Sequence, residues 1–183
     1  MLRFLDFMFS LVGLLLGTPL FIAIYFVGLL ETGSPLFYQV RVGRNKKPFI
    51  LVKFRTMRLD TASVASHLVD AAAITRFGFF LRRTKLDELP QLLNVLKGEM
   101  SLVGPRPCLF NQKELIIERE FRNVFNFRPG ITGLAQINNI DMSMPKLLAE
   151  TDERMLNGLT LGLYIKIILM TVVGKGAGDR VKF

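Results

Sequence analysis

Two adjacent carboxylates, Asp87 and Glu88, are the residues of this chain best suited to chemistry, and the basic residues Arg82 and Lys85 precede them. A carboxylate can attack phosphorus as a covalent nucleophile, while a second carboxylate holds a metal ion or moves a proton. Attack on a phosphate diester brings negative charges together, so such a site needs Mg²⁺ and arginines. The structural alternative is that Thr84, Asp87 and Glu88 form a capping box at the start of a helix.

Five basic side chains lie beside turns or strand ends, where they could contact a substrate phosphate. They are Lys53, Arg55, Arg82, Arg106 and Arg128. Arg106 stands between two prolines, which restrict the loop and favour a preorganised phosphate contact. A solvated arginine on a surface turn is the alternative for this position.

The composition excludes several other chemistries. The 183 residues include one cysteine, Cys108, and one histidine, His67, which excludes an intramolecular disulfide framework and argues against Cys-rich or His-rich metal sites. The common phosphate-binding glycine loops are absent from the sequence. The net charge of +9 and the 50% of apolar residues favour an anionic membrane or a phosphorylated substrate. Because no nucleic-acid recognition motif accompanies the charge, no nucleic acid partner is expected.

An apolar N-terminal segment predicts that the chemistry takes place at a membrane. Residues 7–30 contain no charged residue, and a straight helix of this length measures about 36 Å, enough to cross a bilayer core of about 30 Å. Thr18 and Pro19 interrupt the segment near its middle, where proline removes a backbone donor and the hydroxyl can bond a carbonyl. The two halves could enter and leave the membrane on one side, whereas a kinked spanning helix is the alternative. A cleaved signal peptide is disfavoured by the basic residues that follow.

Basic residues predict on which side of the membrane the rest of the chain lies. Seven basic residues and no acidic residue occur between Gln39 and Arg58. Basic loops stay in the cytoplasm, so everything after residue 31 is expected there. A straight spanning helix would then place Met1 outside.

The sequence predicts a membrane anchor at residues 1–31, followed by a mostly helical core with some strands at residues 32–183. Expected are extended segments at 35–42 and 49–55, a helix or mobile lid at 59–75, helices at 86–97, 111–125 and 145–157, and a strand at 131–137. The apolar segment 159–173 carries Lys166 at its centre, which favours an interfacial helix lying flat over a spanning one. The fold class is therefore α+β, with a small β element and amphipathic helices at the membrane interface.

Four short motifs follow the apolar segment in one order. They occupy residues 53–57 (Lys-Phe-Arg-Thr-Met), 86–91 (Leu-Asp-Glu-Leu-Pro-Gln), 104–107 (Gly-Pro-Arg-Pro) and 128–133 (Arg-Pro-Gly-Ile-Thr-Gly). In this order they resemble the bacterial sugar transferase family, the monotopic phosphoglycosyl transferases that start glycoconjugate assembly. The resemblance extends from about residue 3 to about residue 173 and is to the small members, which consist of the catalytic core alone.

This resemblance implies a specific reaction. A sugar-1-phosphate moves from a UDP-sugar to undecaprenyl phosphate, UMP leaves first, and a covalent phosphosugar forms on Asp87. Mg²⁺ is expected at Asp87, and Glu88 would assist the metal or deprotonate the incoming lipid phosphate. Arg106 and Arg128 would bind substrate phosphate, with Lys53, Arg55 and Arg82 as weaker candidates.

The resemblance also implies a location. The N-terminal helix would be re-entrant and broken at Thr18-Pro19, with both termini on the cytoplasmic face of the bacterial inner membrane and in contact with its phospholipids. Thr18 replaces the serine usual in the family, and residues 162–167 lack the acid of the family's Asp-Leu-Lys-Ile pattern. The sequence leaves open the sugar, the choice between Mg²⁺ and Mn²⁺, and the choice between a monomer and a homodimer.

Two other functions compete with this one. A sugar-phosphate transferase could act through a ternary complex without a covalent step, although such enzymes usually span the membrane several times. A basic, non-catalytic protein that binds lipid at the membrane surface would explain the charge and the apolar ends. In that case the Asp-Glu pair would only cap a helix.

Overall fold

The computed structural model describes residues 1–61 and 71–176 of the chain. His67 and most of the predicted helix or lid at 59–75 lie outside the described residues. The fold is mostly helical with two small sheets, which confirms the α+β prediction.

Seven helices and four strands make up the described fold. The helices are α1 Leu2–Thr32, α2 Arg76–Thr84, α3 Gln91–Lys97, α4 Lys113–Phe121, α5 Leu134–Ile137, α6 Pro145–Asn157 and α7 Leu161–Val172. The strands are β1 Leu36–Val42, β2 Pro48–Phe54, β3 Ser101–Val103 and β4 Gly130–Thr132. Short 3₁₀ turns occupy Arg44–Lys46, Ala71–Ala73, Leu86–Glu88 and Val124–Asn126.

The two predicted extended segments form an antiparallel hairpin of β1 and β2. The free edge of β2 is covered by Asn94 of α3, which is fully buried. Its side-chain amide accepts a hydrogen bond from Val52 N at 3.2 Å and donates one to Ile50 O at 2.7 Å. The amide thus replaces a third strand and fixes α3 against β2.

Strands β3 and β4 pair in parallel and bring the third and fourth motifs together. Gly130 N donates a hydrogen bond to Pro105 O at 2.8 Å. A Cβ atom at Gly130 would lie 2.1 Å from Gly104 N, so the two loops approach more closely than any other residue type would allow.

Helix α1 packs against the rest of the protein at both of its ends. Near the first end, Asp6 is buried and accepts hydrogen bonds from Ser101 Oγ at 2.9 Å and from Tyr164 Oη at 2.8 Å. At the other end, Glu31 accepts a hydrogen bond from Thr75 Oγ1 at 2.8 Å. The helix therefore lies along the body of the protein over most of its length.

The opposite surface of α1 is apolar and exposed. Leu15, Leu16 and Leu30 are 66%, 79% and 88% exposed. Among the described residues, α1 is the one helix long and apolar enough to cross a membrane. The helix runs through Pro19 without interruption, so the break predicted at Thr18-Pro19 is not seen in the helical hydrogen bonding, and the re-entrant path stays a prediction. As expected, the Thr18 hydroxyl bonds a carbonyl, that of Leu14 at 2.7 Å.

The predicted helix at 86–97 begins later than expected, and the capping-box interpretation is wrong. Thr84 is the last residue of α2, and its hydroxyl donates to Phe80 O and Leu81 O at 2.9 and 3.1 Å. Lys85 then takes a left-handed conformation with φ 59° and turns the chain away from α2. Asp87 and Glu88 lie on the 3₁₀ turn that follows, before α3 begins.

The predicted strand at 131–137 is also partly wrong. Only its first two residues belong to β4, and Leu134–Ile137 forms the short helix α5. The parallel pairing ends because the partner strand β3 runs into Gly104-Pro105, and a proline cannot donate to the ladder. The predicted helix at 145–157 is confirmed as α6, whereas that at 111–125 ends at Phe121.

The apolar segment 159–173 is helical, as predicted. It forms α7, which buries Tyr164 and Ile167 against the core and exposes Leu169 and Val172. One apolar face of α7 therefore packs against the core, and a second apolar face is exposed at the surface. Its placement at the membrane interface stays a prediction.

Candidate active site

The 3₁₀ turn that carries Asp87 and Glu88 is held by apolar residues on both sides. Leu86 and Leu89 pack on a cluster formed by Ile24, Phe54 and Leu81 of α1, β2 and α2. Asp87 is only 5% exposed. The turn is thus fixed by burial of its flanking leucines, and the two carboxylates between them are set in a low-dielectric environment.

Arg106 reaches Glu88 from the Gly-Pro-Arg-Pro loop. Its Nη2 donates to Glu88 Oε1 at 3.1 Å, and the two side chains are 20% and 11% exposed. The structure therefore brings the second and third motifs into direct contact. The pair combines a fixed cation with a carboxylate next to Asp87, which suits the binding and transfer of a phosphate group.

Two buried arginines position this loop by its backbone. Arg41 Nη1 donates to Pro107 O at 3.0 Å, and Arg119 Nη1 donates to Arg106 O at 2.7 Å. Arg119 also binds Asp152 Oδ2 through Nε and Nη2 at 3.0 and 2.7 Å, and this pair is 2% and 1% exposed. Burial raises the pKa of Asp152, while the charge of Arg119 opposes that shift.

Sequence reasoning missed these positioning residues. Arg41, Arg119 and Asp152 carry no local motif and are far from residue 106 in the chain. The one available signal is that a charged residue on the apolar face of a helix needs a partner, and the sequence alone does not name that partner.

Lys53 and Arg82, two of the predicted phosphate-binding residues, lie close to the Asp-Glu turn. Lys53 is 7% exposed on β2, the strand that packs against this turn. Arg82 Nε donates to Thr56 Oγ1 at 2.8 Å. The Nη1 atom of Arg82 is buried and has no hydrogen-bond partner among the described residues. A donor left in this way is suited to a ligand phosphate.

Arg55 and Arg128, the two other predicted residues, have structural contacts instead. Arg55 Nε donates to Ser34 O at 2.8 Å, and its guanidinium lies over the ring of Phe37. Arg128 Nε donates to Gly98 O at 2.8 Å, at the end of α3 opposite the Asp-Glu turn and about 10 Å along the helix from it. Burial and the nearby cations lower the pKa of Arg128. Neither side chain is brought to Asp87.

Lys85 is a further candidate that sequence reasoning did not assign to the site. Its Nζ donates to Lys175 O at 2.9 Å. Burial lowers the pKa of Lys85, Glu88 opposes that shift and Arg106 adds to it. The ammonium group is therefore in electrostatic contact with the Glu88–Arg106 pair.

A Lys85→Gly variant is expected to be more stable than the wild type and less active. Glycine takes the left-handed backbone without steric cost, a gain of about 1 kcal/mol. If the site transfers phosphate, as the sequence predicts, loss of one nearby cation is expected to lower kcat/KM for the phosphorylated donor about tenfold. Thermal unfolding and donor kinetics measure the two effects. Asn123→Gly is the matched control, because Asn123 has a similar φ of 56° and lies outside the proposed site. Unchanged donor kinetics in the Lys85 variant would remove Lys85 from the site.

Known proteins resemble this chain over nearly its full length. The model of the family described as "Bacterial sugar transferase" matches residues 1–175. The chain is 44% identical over 144 residues to "Uncharacterized sugar transferase EpsL" of Bacillus subtilis, which covers 78% of this chain and 71% of the relative. It is 39% identical to "Galactosyl transferase CpsE" of Streptococcus agalactiae, over 97% of this chain and 43% of the relative.

A relative with a more specific name is also similar. The chain is 36% identical over 174 residues to "UDP-glucose:undecaprenyl-phosphate glucose-1-phosphate transferase" of Caulobacter vibrioides, over 89% of this chain and 64% of the relative. The chain therefore spans less than two thirds of the length of this relative and of CpsE. Because the family model matches residues 1–175, which include the Asp-Glu turn and the Arg106 loop in contact with it, the chain belongs to the bacterial sugar transferase family, a family of transferases.

Proposed function

We propose that this chain transfers a sugar-1-phosphate from a UDP-sugar to undecaprenyl phosphate and releases UMP. The observation that carries the proposal is the contact of Arg106 with Glu88 beside the buried Asp87. The printed name of the Caulobacter relative, which specifies UDP-glucose and undecaprenyl phosphate, supports the two substrate classes.

In the first proposed step, a carboxylate oxygen of Asp87 attacks the phosphorus that bears the sugar. The bond from this phosphorus to the oxygen of UMP breaks, UMP leaves with the electron pair, and an aspartyl phosphosugar remains. Arg106 and the unpaired donor of Arg82 would neutralise charge on the phosphates.

In the second proposed step, a phosphate oxygen of undecaprenyl phosphate attacks the same phosphorus and displaces the Asp87 carboxylate. The product is undecaprenyl diphosphate sugar. Glu88, whose Oε1 accepts a hydrogen bond from Arg106, would accept a proton from the incoming phosphate. The same site thus handles the two substrates in turn.

Mg²⁺ fits the residues that the structure provides. Within residues 1–61 and 71–176, no group of three or more potential side-chain ligands could hold an ion by itself. Protein-bound Mg²⁺ commonly uses one or two carboxylates together with substrate phosphates, and Asp87 with the donor diphosphate would meet that need. The ion would supply positive charge to the phosphates, and Glu88 would help to orient the ion from the adjacent position.

The packing of α1 supports a re-entrant anchor with both termini in the cytoplasm. Asp6 near one end and Glu31 at the other both bond to the same body of the protein. A helix that crossed the bilayer would place its two ends on opposite sides of the membrane, where one body of protein could not bond to both. The proposed path instead dips into the cytoplasmic face of the inner membrane near Thr18-Pro19 and returns, so residues 1–31 anchor a core of residues 32–183.

This topology predicts one-sided labelling of the N-terminus. A Leu2→Cys variant on a Cys108→Ala background is expected to react with an impermeant maleimide only from the cytoplasmic side. Cys108 is buried, so its removal leaves the surface unchanged. Lys47→Cys, in the exposed turn between β1 and β2, marks the cytoplasmic side as a control. Labelling of residue 2 from outside the cell would show that α1 spans the membrane instead.

The reaction itself is tested by UMP release from the purified protein in detergent. The assay contains Mg²⁺, undecaprenyl phosphate and a panel of UDP-sugars, with Asp87→Asn as the control. Release with one sugar, absent in the variant, would establish the reaction and name the donor. If no donor gave UMP and no phosphosugar adduct appeared by intact-mass analysis, the lipid-binding scaffold would be the better account.

A further inference from the structure

A groove lies between α1 and α3 where α1 lacks side chains on its packed face. The residues on this face recur every three or four positions: Asp6, Ser10, Gly13, Gly17, Phe21, Ile24 and Gly28. Side chains at the two ends of this row are buried against the body. At Gly13 the Leu92 side chain lies 3.3 Å from where a Cβ atom would stand, whereas at Gly17 no atom lies within 4 Å of that position. A cavity of about 250 Å³ remains beside these two glycines.

The lining of this α1–α3 groove is hydrocarbon. It includes Gly13, Gly17 and Phe21 from one side and Leu89, Leu92 and Leu93 from the other. The hydroxyl of Thr18, which also borders the groove, is already bonded to Leu14 O. Polar ligands would lose their hydration here without replacement hydrogen bonds, so the groove selects an apolar chain.

The groove begins next to the Asp-Glu turn. Leu89 lines it and directly follows Glu88 in the chain. On its other side it is bounded by the middle of α1, whose outer surface is apolar and exposed. The groove therefore connects the proposed site of phosphoryl transfer with the part of the protein that faces lipid.

We propose that the α1–α3 groove binds the first isoprene units of the polyprenyl phosphate acceptor, an inference that rests on the proposed function. The acceptor must place its phosphate at Asp87, so its chain starts beside Glu88 and has to leave along an apolar surface. The groove is an apolar cavity that adjoins this turn. An acyl chain of a bulk phospholipid has no such requirement at Asp87.

A Gly17→Leu variant tests the groove by filling it. A Cβ atom at Gly17 meets no atom within 4 Å, so a side chain can begin there without moving the backbone and extend into the cavity. Leucine also favours the helix over glycine. Gly162→Leu is the matched control, because a Cβ atom there meets only Thr160 Oγ1 at 3.9 Å and α7 does not line the groove.

The measurement compares two acceptors in the discharge of the covalent intermediate. Undecaprenyl phosphate carries the full chain, and dimethylallyl phosphate carries a single isoprene unit. We expect the ratio of kcat/KM for the long acceptor to that for the short one to fall about tenfold in Gly17→Leu, since contacts of about two methylene groups are lost. The ratio should not change in Gly162→Leu. An unchanged ratio in Gly17→Leu, or an equal loss with both acceptors, would overturn the proposal.

A binding measurement tests the α1–α3 groove independently of the proposed transfer reaction. Radiolabelled undecaprenyl phosphate is titrated into phospholipid nanodiscs that hold Asp87→Asn, with and without Gly17→Leu. Affinity about tenfold weaker in the double variant supports the groove, and equal affinity contradicts it. If the wild type released no UMP with any donor, the proposed function would fail. The titration would still show whether the groove binds undecaprenyl phosphate.

Discussion

Replacement of Asp87 by asparagine is expected to abolish sugar-phosphate transfer. Removal of a covalent nucleophile typically lowers turnover by a factor on the order of 10⁴ to 10⁶. The asparagine amide has the same shape as the carboxylate but cannot form the acyl phosphate. Intact-mass analysis after incubation with the donor alone should show a phosphosugar adduct on the wild type and none on the variant. UMP release should disappear with it.

The Glu88→Gln variant distinguishes the role of Glu88 as a base from that of Asp87 as the nucleophile. This variant keeps Asp87 and retains an oxygen acceptor for Arg106, but it loses the base. We expect it to form the adduct slowly and to lose about 10²-fold to 10³-fold in turnover. A phosphosugar adduct on Asp87→Asn at the wild-type level would show that the nucleophile is another residue. Loss of the adduct only in Glu88→Gln would exchange the two assignments.

Replacement of Arg119 by methionine is expected to destabilise the protein by about 3–5 kcal/mol, because the buried carboxylate of Asp152 loses its partner. For a chain of this length the thermal midpoint should fall by roughly 10 °C. The variant also removes the donor that holds Arg106 O, so KM for the donor sugar should rise. Differential scanning fluorimetry in detergent and donor kinetics measure the two effects.

The loss of stability in Arg119→Met should depend on pH. Burial raises the pKa of Asp152 and Arg119 lowers it, so without Arg119 the folded pKa moves further above the unfolded value of about 3.9. The folded state then holds a proton that the unfolded chain releases, and stability falls as pH rises through this window. The difference from wild type should therefore be larger at about pH 7.5 than at about pH 5.

The double variant Arg119→Met/Asp152→Leu distinguishes stability from positioning. Because both charges are removed, most of the lost stability should return. Arg106 O still lacks its donor, so the raised KM should persist. Recovery of wild-type kinetics together with stability would show that Arg119 acts on the fold alone.

Elements defined by local pattern were predicted well from the sequence. The extended segments predicted at 35–42 and 49–55 are β1 and β2, and the apolar runs located α1 and α7. The errors occurred where a tertiary contact competes with local propensity. Leu134–Ile137 was predicted as the end of a strand but is helical. The parallel pairing stops at the proline that follows Gly104, and leucine, alanine and glutamine are good helix formers once no partner strand is available.

In the candidate site, too, local sequence identified candidates and tertiary contacts decided where they lie. The carboxylate pair and the constrained Arg106 were chosen as candidates from residue type and spacing, and the structure places Arg106 in contact with Glu88. Their roles in the reaction stay a prediction. Arg55 and Arg128 were assigned to phosphate on equal grounds, yet they bond backbone carbonyls elsewhere. An arginine beside a turn can serve either purpose, and only the position of its neighbours in space decides between them.

The amino-acid sequence by itself indicated the apolar helix suited to a membrane, the family and the pair of carboxylates proposed to carry the reaction. Each depends on composition or on a few adjacent residues. The tertiary structure decided which cations reach that pair, how buried Arg119 and Asp152 hold the loop of Arg106, and where Gly13 and Gly17 leave a groove. These features depend on contacts between residues far apart in the chain, which form only when the apolar surfaces between them are buried.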